Sequence, residues 1–324
     1  MCPAAPIRRS GENGQPIRQT APLRAEDPLI ISRLFRRKTS EARPWGSRRD
    51  RLRRALGEAG VATGHVEVDG VRLRYGLRPG VGEPLLLCNG IGANLEIALP
   101  FVRALPRRPV VLFDVPGTGG SAAAGFYPSF RRYARFAVGV LDQLGMGHRF
   151  DVAGVSWGGG LAQQIARDYP DRVRHLVLMA TTPGVLMVPG HLSALLRMAT
   201  PQRYLSRTFM ARNAAHIYGG EMRGRPDLAI EFASMTRAPG TLTYVQQLLA
   251  MLQFTSLPWL HRISCPTMVM TGSDDPLIRT INARFLAMLI RDSRLNIVEG
   301  GGHLFMVLRP EATAAEVERF LAGS

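Results

Sequence analysis

The residues Gly154-Val155-Ser156-Trp157-Gly158 place a serine between an apolar run at 150–155 and a helical pattern beginning near Gly159. A serine on such a strand–turn–helix corner is built to attack a carbonyl. The tight turn forces strained backbone angles on Ser156 and lifts its hydroxyl above the sheet edge, while side chains at 154 and 158 would collide across the turn. A solvated turn serine is the alternative, and the strand before it with the helix after it favours the nucleophile.

A serine hydroxyl is a weak nucleophile until a base takes its proton and an acid orients that base. In a site of this kind the acid and then the histidine follow the serine along the chain. TGSDDPLI (271–278) follows an apolar run, and Asp275 falls three residues after Gly272, where the acid is expected; Asp274 is its rival. GGGHLFMVLRP (300–310) follows the last apolar run and carries His303 on a glycine-rich loop. His65, His148, His175, His191, His216 and His261 lack that setting and are expected to be surface, loop or packing residues. Attack on a carbonyl also needs donors for the oxyanion. The backbone N–H of Trp157 supplies one, and the backbone N–H of Ile91, in the Asn89-Gly90-Ile91-Gly92 turn after PLLLC, is expected to supply the other. The turn FDVPGTGGS (113–121) lacks the lysine and spacing of a phosphate-binding loop.

These residues need elements to hold them. PLLLCNG (84–90), VVLFDVPG (110–117), FDVAGVS (150–156), HLVLMAT (175–181), TMVMTGS (267–273) and LNIVEGG (295–301) are short apolar runs ending in turns, as expected of strands buried on both faces. HVEVDGVRLRYGLRP (65–79) alternates around Asp69-Gly70 and predicts a β-hairpin. Helical patterns at 127–145 and 159–170 intervene, so the fold class is α/β, a mostly parallel sheet with helices on both faces. Residues 61–184 and 263–324 would form that core. The stretch 185–262 has helical segments (192–199, 227–237, 242–253), six methionines and several large aromatics but no buried-strand run; it is expected to be a helical lid. Residues 1–60 are rich in arginine and proline and are expected to be a disordered extension.

The chain has 324 residues and a net charge of +16. Lys38 is its only lysine, so the basic excess is nearly all arginine and reflects compositional bias rather than a nucleic-acid-binding face; no specific nucleic-acid partner is expected. Three scattered cysteines exclude a disulfide framework and a zinc site. No apolar run reaches the length of a transmembrane segment.

The chain from about 65 to 322 resembles the α/β-hydrolase superfamily, and within it the intracellular poly(3-hydroxyalkanoate) depolymerases. The matching stretches are CNGIGANLE (88–96), FDVPGTGGS (113–121), GVSWGGGLAQQIARDYP (154–170), VPG (188–190), IYGG (217–220), DDPLI (274–278) and GGHLF (301–305). Asn89 stands where most of the superfamily has histidine, a departure shared with the depolymerases. The resemblance implies an α/β-hydrolase fold and a serine esterase with Ser156 as nucleophile, Asp275 as acid and His303 as base. It implies a polyester granule or another 3-hydroxyacyl ester, of medium side-chain length, as substrate, a cytoplasmic location at granules, and no metal or organic cofactor. A soluble-ester or carbon–carbon bond hydrolase, or a non-catalytic granule-associated protein, would be built on the same fold.

Overall fold

A computed structural model describes residues 48–323 except 106, 201 and 203–205. Eight strands form one sheet: β1 (Ala62–Val68), β2 (Val71–Arg78), β3 (Leu85–Cys88), β4 (Val110–Phe113), β5 (Phe150–Val155), β6 (Val173–Met179), β7 (Thr267–Gly272) and β8 (Ser293–Val298). Their order is β1-β2-β4-β3-β5-β6-β7-β8. The hairpin β1–β2 is antiparallel and turns at Asp69 and Gly70, both with positive φ as its tight turn requires. β2 is antiparallel to β4, and every pairing beyond is parallel.

The unbroken apolar runs of β3–β7 follow from burial on both faces. Within β3, Leu86 packs into one core while Leu85 and Leu87 pack into the other. The first core is covered by α3 (Phe130–Gln143), α4 (Trp157–Asp168) and α9 (Thr280–Leu289). The second is covered by α2 (Leu99–Ala104), α10 (Phe305–Leu308) and α11 (Pro310–Ala322). Ser129 caps α3 by accepting the Arg132 N–H.

Residues 48–58 correct the expectation that 1–60 is one structureless extension. Arg48–Glu58 form α1, and Ala55 and Leu56 pack against the second core beside buried Ala59 and Val61. Five arginines in those eleven positions hide this short apolar face in the sequence. Residues 1–47 of that segment lie outside the described residues.

Between β6 and β7 the chain leaves the sheet for α5 (Leu192–Ala199), α6 (Arg207–Tyr218), α7 (Pro226–Met235) and α8 (Thr241–Leu252). Three of these match the helical segments expected there; α6 has no sequence pattern of its own, because RTFMARNAAHIY mixes polar and apolar residues without a clear stripe. The insert has its own small core around Met210, Ile217, Met222 and Leu228. Among the described residues no helix is long and apolar enough to cross a membrane.

Candidate active site

β5 runs straight into α4, and Ser156 is the single residue between them. Its φ of 55° and ψ of −120° lie in a region that a non-glycine residue adopts only under constraint. Three hydrogen bonds impose the constraint. The Ser156 N–H donates to the Met179 carbonyl at 2.9 Å, and the Ser156 carbonyl accepts from the Thr181 hydroxyl at 2.7 Å and the Gly159 N–H at 2.9 Å. The flanking glycines are required by close approach. A Cβ at Gly154 would lie 2.1 Å from the Gly158 carbonyl oxygen, and one at Gly158 would lie 2.1 Å from that of Cys88.

His303 sits in the loop after β8, and its buried ring meets the carboxyl of Asp275 in the loop after β7, Nδ1 to Oδ2 at 2.7 Å. A carboxylate only accepts, so Nδ1 carries the proton and Nε2 is left as the basic nitrogen. The other Asp275 oxygen accepts from the N–H groups of Leu277 at 2.8 Å and Ile278 at 3.0 Å, which fixes the carboxyl plane. Asp274, one residue earlier, faces the insert instead. It takes a two-pronged pairing from Arg223, at 2.6 and 2.7 Å, and the Gly220 N–H at 2.8 Å. The Arg223 hydrogen bonds hold its carboxyl below the ordinary aspartate range.

The same stretch of insert supports the histidine loop. The Tyr218 carbonyl accepts the His303 N–H at 2.7 Å, and its ring lies nearly parallel to the imidazole. Ser156 and His303 open into one cleft of about 590 Å³, its mouth included, whose walls include Ile91, Ile97, Met198, Phe232 and Met306. Trp157 is the first residue of α4, so its N–H has no acceptor within the helix and stands at the helix's positive end. The sequence-predicted residues Ser156, His303 and Ile91 therefore line one cleft, with Asp275 behind the imidazole and Trp157 at the serine's corner.

Two parts of the site carried no sequence signal. Gln247 of α8 is fully buried; its Oε1 accepts the Gly92 N–H at 2.7 Å, and its main-chain carbonyl accepts the Trp157 indole N–H at 3.0 Å. The second is a buried polar knot beneath the 89–94 loop. Arg74 bridges Glu96 at 2.7 Å and Asp114 at 3.2 Å, and Asn94 donates to Glu96 at 2.6 Å. Asp114 also accepts the N–H groups of Leu95 at 2.7 Å and Gly120 at 2.8 Å, while Asn94 Oδ1 accepts the Arg237 N–H of the insert at 2.7 Å. Burial pushes Asp114 up to about 6, against those N–H groups and Arg74 and with the help of nearby Glu96. Burial also pushes Glu96 upward, but the hydrogen bonds from Arg74 and Asn94 outweigh it and leave Glu96 below its ordinary value.

A second His–Asp pair is a decoy. His175 Nδ1 lies 2.7 Å from Asp151 Oδ1, and Arg108 reaches the other Asp151 oxygen at 2.6 Å. This pair lies near the starts of β5 and β6, at the opposite end of the strands from Ser156. Among the described residues no group of three His, Cys, Asp or Glu side chains is placed to share a metal. Cys88 and Cys265 are buried free thiols, and burial raises both above the ordinary thiol range.

Residues 83–310 match the family described as the alpha/beta hydrolase fold. A poly(3-hydroxyalkanoate) depolymerase of Ectopseudomonas oleovorans is 47% identical over 79% of this chain and 91% of its own. A 2-hydroxymuconate semialdehyde hydrolase of Pseudomonas putida is 30% identical over 75% of this chain and 88% of its own. Among solved structures, a bacterial membrane phospholipase A superposes with a TM-score of 0.71 at 23% identity, covering 91% of this chain and 93% of its own. An enol-lactonase from Burkholderia xenovorans gives 0.69 at 21%, covering 80% and 100%. At these identities the two structures speak for the fold.

Proposed function

The chain belongs to the α/β-hydrolase family, and on that premise we propose that it hydrolyses the ester bonds of poly(3-hydroxyalkanoate) through an acyl-serine intermediate. The reaction class rests on one observation: His303, aligned by Asp275 at 2.7 Å, shares a cleft with Ser156 at its strained corner. The substrate rests on the 47% identity to the depolymerase across nearly its whole length.

In this reading His303 Nε2 takes the Ser156 proton as Oγ attacks the ester carbonyl. The Trp157 and Ile91 N–H groups receive the oxyanion. The alcohol end of the polyester leaves with the proton from His303, and water, deprotonated by the same nitrogen, then releases the acyl group. Asp275 keeps the imidazole in the tautomer both steps need. The chemistry calls on no metal or organic cofactor. Helices α5–α8 act as a lid whose apolar inner wall, with Met198 and Phe232, suits an acyl side chain; the medium length of that chain is what the resemblance to the depolymerases implies. Such a substrate is stored as granules, so the enzyme works at a granule surface in the cytoplasm.

The test is product analysis. Wild-type protein incubated with polymers of short and medium side chains should release 3-hydroxyacids, faster from the medium-chain polymer, and a fluorophosphonate probe should label Ser156. Labelling and soluble-ester turnover without release from either polymer would reject the polyester and leave a soluble-ester or carbon–carbon bond hydrolase.

A further inference from the structure

Helix α8 turns a leucine-rich stripe to solvent. Its buried face carries Thr243, Tyr244, Gln246, Gln247 and Ala250, whereas Leu242, Val245, Leu249 and Leu252 are 69%, 43%, 43% and 59% exposed. The spacing 242, 245, 249, 252 is the apolar stripe that a helix ordinarily turns to the core. Here the site's own hydrogen bonds pin it outward. Gln247 holds Gly92 and Trp157, the Gln246 amide donates to the Ala124 carbonyl at 3.3 Å, and the Tyr244 hydroxyl donates to the Met198 carbonyl at 2.7 Å. Rotating the leucines inward would break all of these contacts.

Neighbouring segments carry further exposed apolar residues. Tyr244 ties α8 to α5, where Leu192 and Leu196 are exposed, and Met198 of α5 lines the cleft. At the other end the Val185 N–H donates to the Phe254 carbonyl at 2.8 Å, which sets exposed Val185 and Leu186 beside the end of α8. Thr241–Leu252 contains no charged residue in a chain with 41 basic ones. An exposed, uncharged apolar stripe of this kind marks an interaction site.

We propose that the outward face of α8 is the surface by which the enzyme seats on its polyester. The proposal rests on the function proposed above. Two observations select this occupant. The stripe is uncharged and apolar, as is a polyester surface. The opposite face of the same helix also holds Gly92 and Trp157 through Gln247, so a surface seated on α8 lies one helix away from the Ser156 corner.

The experiment compares wild type with the variant Leu242→Ser/Val245→Ser/Leu249→Ser, whose positions are exposed and outside the catalytic machinery. On a medium-chain polyester suspension, wild type should co-sediment in low and in about 0.5 M salt, which screens exposed charges, and should be released by a mild non-ionic detergent. The variant's bound fraction and polymer turnover should fall roughly tenfold or more, from the lost apolar contact, with turnover of a soluble nitrophenyl ester within about twofold of wild type. Equal co-sedimentation of variant and wild type overturns the proposal. So does loss of wild-type binding at high salt, which would mean arginine anchorage, or a wild-type dimer that the substitutions convert to monomer. Should that variant fail to turn over soluble ester, Leu242→Ser alone, at the most exposed of the three positions, is put through the same assays, and co-sedimentation equal to wild type overturns the proposal. Wild type that co-sediments but releases no hydroxyacid overturns the proposed function and leaves the docking face standing.

Discussion

Gln247 accepts the indole N–H of Trp157 on its main-chain carbonyl at 3.0 Å, and its side chain accepts the Gly92 N–H at 2.7 Å. One buried residue of the insert thus grips both walls of the proposed oxyanion site, the start of α4 and the turn after β3. Donors aimed at an oxyanion act through preorganisation, and a displacement well under 1 Å weakens them.

Gln247→Met keeps the length and burial of the side chain and deletes the acceptor for Gly92. We expect kcat on a soluble ester to fall roughly 10- to 100-fold with little change in KM. A tetrahedral boronate inhibitor should weaken by a similar factor, because it also needs the oxyanion donors. Unchanged kcat, or a rise confined to KM, would show that the Gly92 contact serves only packing.

The adjacent aspartates should separate sharply. Asp275→Asn removes the carboxylate that orients His303, and with Ser156→Ala and His303→Ala it should cost roughly 10³-fold or more in kcat. Asp274→Asn breaks a half-exposed pairing with Arg223 and should leave activity within about tenfold, the measure of a latch between the acid loop and the insert. Steady-state kinetics on one soluble ester, with thermal melts to check folding, decides the matter. The reverse pattern, with Asp274→Asn dead and Asp275→Asn active, would transfer the orienting role to Asp274.

Local chemistry explains what could be read beforehand. The Ser156 corner, the Asp69-Gly70 hairpin and the loop bearing His303 are each written in a few consecutive residues, and the runs of β3–β7 announce burial on both faces. Gln247 lies 155 residues from Gly92 in sequence, and no local pattern reports such a contact. The same holds for Asn94 and Arg237, 143 residues apart. In α8 the sequence misleads, because a leucine stripe suggests a core face that the fold turns to solvent. Asp274 and Asp275 differ only in which backbone N–H groups and side chains the chain folds against them.

Within the knot of Arg74, Glu96 and Asp114, Asp114 should make stability depend on pH in a sense opposite to an ordinary ion-paired carboxylate. Asp114, raised by burial to about 6 from an ordinary 3.8, keeps its proton in the native state between those values and loses it in the unfolded chain. The native state then binds more protons, so this group's contribution is fully present below about 3.8 and is lost as pH rises through about 6. The difference is on the order of 3 kcal/mol. Glu96, held below its ordinary 4.5 by Arg74 and Asn94, works the other way, and its contribution is lost only as pH falls below that range. Asp114→Asn isolates the first effect, because its amide does not titrate while Glu96 and Arg74 remain. Measured by urea unfolding, the stability gap between wild type and Asp114→Asn should be larger near pH 5 than near pH 7.5. A gap that widens with rising pH would mean that Asp114 is stabilised as a carboxylate by Arg74 and the two N–H groups, against its burial.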